Sequence, residues 1–283
     1  MPMEEMKHFD YKRFLKRYRD YYIDQVIPAQ SLDQRPFTYN LLDQSEQAFI
    51  DIALEQNRVC LSDQAFYIKT VTNHKTYQSL IFHTDGTIIK SCESTAVIMQ
   101  RFFRHKGLPY STHSQLGKLI KIHQKCPYMV NKICLAPEKG LSKDSVNWIG
   151  LHNVVYHTGD KDHTLLKTAT YNELVIPLSY KKVDKMVHNS SLLALVHQAI
   201  RIYTAGHYGF LDHYPNQENV ISHYTQKLRY QTQLPDPREI YQYMEQQKVI
   251  GALKHIMGMD YPTKEEWDLM DPKLQAFFDS LDS

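Results

Sequence analysis

The chain has 283 residues, of which 42% are hydrophobic and 23% charged, and this composition excludes a wholly disordered or fibrous protein. No apolar run approaches the roughly 20 residues of a bilayer-spanning helix, and the acidic N-terminal residues do not form a secretory signal. Four cysteines without a Cys-x-x-Cys pair predict free thiols. We therefore expect a cytoplasmic protein that does not bind a membrane.

The net charge of +2 is unevenly distributed along the chain. Residues 90–185 contain 15 basic and 7 acidic residues, whereas residues 231–283 contain 5 basic and 10 acidic ones. No acidic residue lies between Glu93 and Glu138, and this stretch, the basic segment, contains seven cations: Arg101, Arg104, Lys106, Lys118, Lys121, Lys125 and Lys132. A segment of one sign is typical of a surface that binds a polyanion, most often nucleic acid. The alternatives are a basic face covered by the acidic tail, anionic lipid and an acidic protein partner.

The N-terminal quarter of the chain has helical patterns. Apolar residues from Tyr11 to Val26 recur every three or four positions and predict a basic amphipathic helix that ends before Pro28. Residues 28–43 are predicted to be a linker. A second helix is predicted from Ser45, as its cap, to Asn57.

A change to alternating apolar residues then predicts a sheet. Strands are expected at residues 58–61, 65–72 and 78–83, and Asp85-Gly86 between two apolar runs predicts a hairpin with a tight primed turn. A helix is predicted from Ser94 to Lys106, ended by Gly107. Its Phe102 and Phe103 are expected in the core, with stacking on bases as the alternative.

The remaining elements complete an α+β pattern. Further strands are expected at residues 119–122, 128–135, 146–157, 165–170 and 174–178. A long helix is predicted from Lys182 to Tyr203, and helical pieces at residues 239–254 and 263–271. The order predicts an α+β fold with a central, largely antiparallel sheet, helices before it, one long helix after it and a helical C-terminal extension.

Catalytic and metal-binding motifs are missing. The sequence has no P-loop, GxGxxG, GxSxG or HExxH motif. The group around His123, Cys126 and Cys134, with His105 and His113 upstream, lacks the paired spacing of a zinc site. The His152-Asn153 pair is faintly similar to a nuclease motif but has no acidic metal ligand nearby. We therefore predict no cofactor, no metal and no enzymatic activity.

Five motifs in the middle of the chain resemble the competence transcription factor ComK family. They are, in order, Arg101-Phe102-Phe103, the lysine-rich run from Lys121 to Val130, Ile133 to Pro137, Asn147-Trp148-Ile149, and Glu173 to Tyr180. Their order and spacing agree over about residues 57–205. The resemblance implies three parts: a helical N-terminal extension at 1–56, a ComK-like DNA-binding domain at 57–206, and an acidic, helical C-terminal extension at 207–283.

What the resemblance implies for function is a bacterial transcription activator of competence genes. Proteins of this family bind paired A/T-rich boxes of duplex DNA, largely through the minor groove, act as homo-oligomers and are delivered by an adaptor to a Clp protease. The seven cations of the basic segment are the candidate DNA-binding residues, and Lys121 and Lys125 share one side of their predicted strand. The competing hypotheses are a protein-interaction module that has lost DNA binding and a small-molecule enzyme built on the same sheet.

Overall fold

The computed structural model describes residues 37–107, 109–140, 145–208, 219–228, 234–240 and 242–244. The predicted N-terminal helix, the piece at residues 263–271 and most of the piece at 239–254 lie outside these residues. Within them, no helix combines the length and the apolar character that a bilayer crossing requires.

The described chain contains eleven strands, five α-helices and one short 3-10 helix. The strands are β1 (Thr38–Asn40), β2 (Leu54–Glu55), β3 (Ala65–Thr70), β4 (Ser79–His83), β5 (Ile88–Ser91), β6 (Tyr128–Val130), β7 (Ile133–Pro137), β8 (Trp148–Gly150), β9 (Val154–Gly159), β10 (Thr164–Thr168) and β11 (Glu173–Ile176). The helices are α1 (Glu46–Ile52), α2 (Thr95–Lys106), α3 (Tyr110–Leu119), the 3-10 helix Leu151–Asn153, α4 (Tyr180–Tyr208) and α5 (Val220–Leu228).

The strands form two sheets. A seven-stranded sheet has the order β2-β5-β4-β3-β8-β7-β6, and a four-stranded sheet has the order β1-β11-β10-β9. All neighbours are antiparallel except two pairs, β1 with β11 and β2 with β5. The predicted α+β class with a largely antiparallel sheet and a long following helix is confirmed.

The β4–β5 hairpin is present, but its turn differs from the predicted one. The His83 N–H donates to the carbonyl of Thr87 (2.9 Å) and the Gly86 N–H to the carbonyl of His83 (3.1 Å). Gly86 has φ 87°, and Asp85 is not left-handed. This pattern is a three-residue loop whose last residue is a left-handed glycine. Loops of this type also connect antiparallel strands that have the usual right-handed twist.

The seven-stranded sheet separates two hydrophobic clusters, because successive side chains of a strand point to opposite faces. In β4, Ile81 belongs to one cluster, whereas Leu80 and Phe82 belong to the other. Helix α2 covers the first face with Ile98, Met99 and Phe102. The second face packs on α1, on α4 and on the four-stranded sheet.

Helix α2 confirms the sequence prediction at both ends. The Ser94 hydroxyl accepts a hydrogen bond from the Val97 N–H at the first turn. Gly107, with φ 70°, ends the helix, as a left-handed glycine commonly does. Helix α1 is likewise capped by Ser45, but it ends at Ile52, five residues before the predicted end.

Residues on either side of residues 57–206 also join the fold. Strand β1 pairs with β11, β2 pairs with β5, and Phe49 of α1 is buried in the core. Helix α5, which the sequence pattern did not predict, packs on α4 and on β9. The Tyr224 hydroxyl of α5 donates to the Asp184 carboxylate of α4, and His157 of β9 lies beside the same carboxylate, 3.6 Å away.

Two predicted strands are not present. Residues 58–61 have no regular structure. Residues 119–122 were predicted as a strand, but they form the end of α3 and the turn that follows it. The apolar residues of that stretch, Leu119, Ile120 and Ile122, pack into the core from the end of α3. In the sequence alone, the close spacing of these apolar residues is indistinguishable from that of a short strand.

Candidate nucleic-acid interface

The basic segment folds into α2, α3, a returning loop (residues 120–127) and the β6–β7 hairpin. Three residues, 107–109, connect α2 to α3. After α3 the chain turns back along the helix, because the Tyr110 hydroxyl donates to the carbonyl of Cys126 (2.6 Å) and the Cys126 thiol donates to the carbonyl of His113 (3.1 Å). A Cβ on Gly117 would lie 2.5 Å from the Cys126 Sγ, so only glycine allows this close packing.

Lys118, Lys121 and Lys125 lie on α3 and the returning loop, and all three are exposed. Lys121 has φ 64° and Lys125 has φ 53°, so neither belongs to a strand. The prediction that these two lysines share one side of a strand is therefore wrong. Their common location is a surface loop in which the backbone adopts the left-handed conformation at both lysines.

Left-handed lysines are uncommon, because a side chain with a Cβ disfavours this conformation by about 1–2 kcal/mol. Conformations of this kind concentrate at functional sites, where the surrounding structure holds them in place. Three of the four non-glycine residues with positive φ in the described chain, Lys121, Lys125 and Asn131, fall within eleven residues of the basic segment.

Arg104 and Lys106 lie at the C-terminal end of α2. Arg104 is exposed, and its guanidinium has no hydrogen-bond or ion-pair partner among the described residues. The Lys106 Nζ lies 5.3 Å from the centre of the Phe102 ring. Two positive charges at a helix C-terminus also interact favourably with the helix dipole.

Arg101 has a structural role that sequence reasoning did not anticipate. Its guanidinium forms two hydrogen bonds with the Glu93 carboxylate and one, of 2.6 Å, with the carbonyl of Val59. The same carboxylate accepts the Val59 N–H (3.0 Å). This bidentate pair ties the 58–62 segment to α2 and lowers the pKa of Glu93 through the hydrogen bonds from Arg101. The Arg101 guanidinium is therefore already engaged within the fold.

Lys132 lies apart from the other cations, in the turn between β6 and β7. Its Nζ is 3.0 Å from the Asp63 carboxylate, and both side chains are about half exposed. An exposed pair of this kind stabilises a protein by less than about 1 kcal/mol. Lys132 can therefore exchange Asp63 for another anion at little cost.

The two acidic residues that border the basic segment do not neutralise its exposed lysines. Glu93 is engaged by Arg101, and Glu138 is buried, where it accepts hydrogen bonds from the Tyr67 hydroxyl (2.8 Å) and the Asn147 amide (2.9 Å). Burial raises the pKa of Glu138. The exposed charge between these residues is consequently positive, apart from the Lys132–Asp63 pair.

The paired phenylalanines pack into the core, as expected. Phe102 is 3% exposed, and the half-buried Phe103 contacts Tyr128, Tyr110 and Trp148 at ring-centre distances of 4.4–5.9 Å. Phe102 is too buried to stack on a base. The function of the two rings is to hold α2 and the start of α3 on the sheet.

The histidines and cysteines of the weak zinc pattern do not converge. Cys126 and Cys134 are buried, and burial raises the pKa of each thiol to about 12. His113 is also buried and bonds the carbonyl of Met129, whereas His123 and His105 are exposed. Within the described ranges no group of three or more histidine, cysteine or acidic side chains could hold a metal ion.

His152 and Asn153 complete a structural hydrogen-bond network. The His152 Nδ1 lies 3.0 Å from the carbonyl of Cys134 and its Nε2 lies 2.9 Å from the carbonyl of Asp63, which also accepts a hydrogen bond from the Asn153 amide (2.8 Å). A neutral imidazole has one N–H and donates to one of these two carbonyls, and burial lowers the pKa of His152 although both carbonyls favour the protonated ring. The ring is 2% exposed and is not open to a substrate.

Sequence reasoning also missed part of the surface. Ser111, Ser114 and Gln115 lie on α3, which was predicted only as a loop before a strand. The buried residues His113, Leu116 and Gly117 recur at helical spacing and are the signal that could have identified this helix.

The fold and this surface define an α+β protein with an exposed basic segment built on α2, α3 and the returning loop. Comparisons with family models, with curated proteins and with solved structures give no match for this chain.

Proposed function

We propose that this protein is a DNA-binding transcription regulator that recognises A/T-rich duplex. One observation carries the proposal: Arg104, Lys118 and the left-handed pair Lys121 and Lys125 are exposed on adjoining elements, and none is paired with a carboxylate of the described chain. Cations left unpaired in this way are available to neutralise phosphates, which provides most of the affinity of DNA-binding proteins.

The finer parts of the proposal depend on the resemblance to the ComK family. They are activation of competence genes, recognition of paired A/T-rich boxes through the minor groove, a homo-oligomeric state and delivery to a Clp protease by an adaptor. A narrow A/T minor groove concentrates negative potential, so exposed Lys and Arg side chains fit such a target physically.

The test is fluorescence anisotropy with A/T-box duplex, G/C-rich duplex and single-stranded probes, each titrated across salt concentrations. For B-DNA the logarithm of the binding constant falls with the logarithm of salt at a slope of roughly −0.9 per neutralised phosphate. Four lysine and arginine contacts therefore give a slope of about −3.6, with preference for the A/T duplex. Weak, salt-independent binding to all three probes would contradict the proposal.

A further inference from the structure

Helix α3 presents a polar stripe to solvent. Ser111, Ser114, Gln115 and Lys118 follow the spacing i, i+3, i+4, i+7 and therefore share one side of the helix. Ser111 and Lys118 are exposed, and Ser114 and Gln115 are partly exposed. The side chains of this α3 stripe form no hydrogen bond or ion pair with the described part of the chain.

The other side of α3 is fixed in the core, so the stripe cannot turn inward. His113, Leu116 and Gly117 are buried, the His113 ring bonds the carbonyl of Met129 on β6, and Cys126 packs against Gly117. The orientation of α3 is thus set by packing on strand β6 and on the returning loop.

The composition of the stripe is unusual for a helix face that only contacts water. Such faces normally mix acidic and basic residues, whereas this one has three neutral hydrogen-bonding side chains, one lysine and no carboxylate. Cations also lie beyond both ends of the helix, with Arg104 before it and Lys121 and Lys125 after it. A negatively charged, hydrogen-bond-accepting partner complements this arrangement.

We propose that the α3 stripe lies along the sugar-phosphate backbone of duplex DNA, a proposal that rests on the DNA-binding function proposed above. Ser111, Ser114 and Gln115 donate hydrogen bonds to phosphate oxygens, while the cations at the two ends neutralise neighbouring phosphates. Serine and glutamine side chains are common phosphate donors in protein–DNA complexes. The eight residues from Ser111 to Lys118 span seven helical steps and rise about 10.5 Å, which matches roughly three nucleotides of one strand.

The decisive variant is Gln115→Glu, which keeps the size of the side chain and places a carboxylate where the proposal places a phosphate. We expect duplex affinity at 0.1 M salt to fall at least tenfold. The matched control is Gln226→Glu, the same change at an exposed position of α5. Gln226 lies outside the α3 stripe, on a helix that packs mainly on α4 and β9. We expect the control to change the affinity less than twofold.

A second variant separates hydrogen bonding from charge. Ser111→Ala removes a neutral donor, so we expect a two- to tenfold loss of affinity with an unchanged salt slope, because a neutral contact releases no counterion. Since Ser111 is exposed and unpartnered, the thermal midpoint of the variant should equal that of the wild type.

The outcomes distinguish this inference from the proposed function. If the wild type binds duplex with a steep salt slope but Gln115→Glu behaves like Gln226→Glu, the α3 stripe does not contact DNA, whereas the proposed function stands. If no probe is bound in a salt-dependent manner, both proposals fail. An effect of Gln115→Glu confined to a single-stranded probe would also overturn the inference, since the partner would then not be a duplex.

Discussion

At Lys121 the backbone conformation and the side-chain charge have opposite effects. The left-handed conformation destabilises the fold, whereas the charge favours the proposed binding of DNA. Its left-handed conformation disfavours a residue with a Cβ, whereas glycine adopts this conformation readily. Its side chain is exposed and unpartnered within the described chain, so truncation removes little packing. The substitution Lys121→Gly should therefore stabilise the fold while it weakens DNA binding.

The two effects have definite sizes. Relief of the left-handed strain contributes about 1–2 kcal/mol, and the larger backbone entropy of glycine in the unfolded chain offsets about 0.5–1 kcal/mol of it. A net gain of about 0.5–1 kcal/mol raises the Tm of a chain of this size by roughly 1–3 °C. Loss of one phosphate contact lowers affinity about eightfold at 0.1 M salt and makes the salt slope shallower by about 0.9.

Calorimetry measures the first effect, and anisotropy with an A/T-box duplex across salt concentrations measures the second. Lys121→Ala should weaken binding equally without raising the Tm, since alanine keeps the Cβ. Asn131→Gly, at another left-handed position, should raise the Tm without changing the affinity. The reasoning is refuted if Lys121→Gly binds DNA with the affinity and salt slope of the wild type.

Three further predictions concern stability. Arg101→Ala should lower the free energy of unfolding by about 1–3 kcal/mol in urea titrations, because the Glu93 carboxylate and a backbone carbonyl lose their donor; an unchanged stability would contradict the assigned ion pair. Glu138→Ala should cost a similar amount, since it leaves the buried Tyr67 hydroxyl without an acceptor, whereas Glu138→Gln should restore part of the loss. Burial and the neighbouring imidazole lower the pKa of His197 to about 4, so the unfolded chain takes up a proton near pH 6.5 and the folded chain does not. As the pH falls from 6.5 to 4, stability should decrease by up to about 1.4 kcal/mol per pH unit because of this residue, and His197→Gln should make the measured pH dependence shallower.

Local signals in the sequence were sufficient for some elements. Helix α2 was predicted at both ends because its cap, Ser94, and its terminating Gly107 act within the element itself. The β4–β5 hairpin was identified by the glycine between two apolar runs. Only its loop length differed, since Asp-Gly suits both a primed turn and a longer turn that ends in a left-handed glycine.

Other features depend on contacts that are distant in sequence. Helix α3 has a polar composition of serine, threonine, histidine and glutamine, so propensity did not indicate it, and packing against Cys126 and Met129 stabilises it instead. The Arg101–Glu93 pair spans eight residues and the start of a helix, a spacing that no helical or strand pattern indicates. The basic segment was visible in the sequence, but which of its cations are exposed depends on these contacts.

The packing of Cys126 beneath α3 has a kinetic consequence. Its thiol is buried against Gly117, while Cys92 is exposed and Cys60 is partly exposed. In the native protein a thiol reagent should modify Cys92 and Cys60 first, and Cys126 only when α3 lifts from the returning loop. The labelling rate of Cys126 thus reports the opening rate of this one helix, and a duplex bound along α3 should slow that rate.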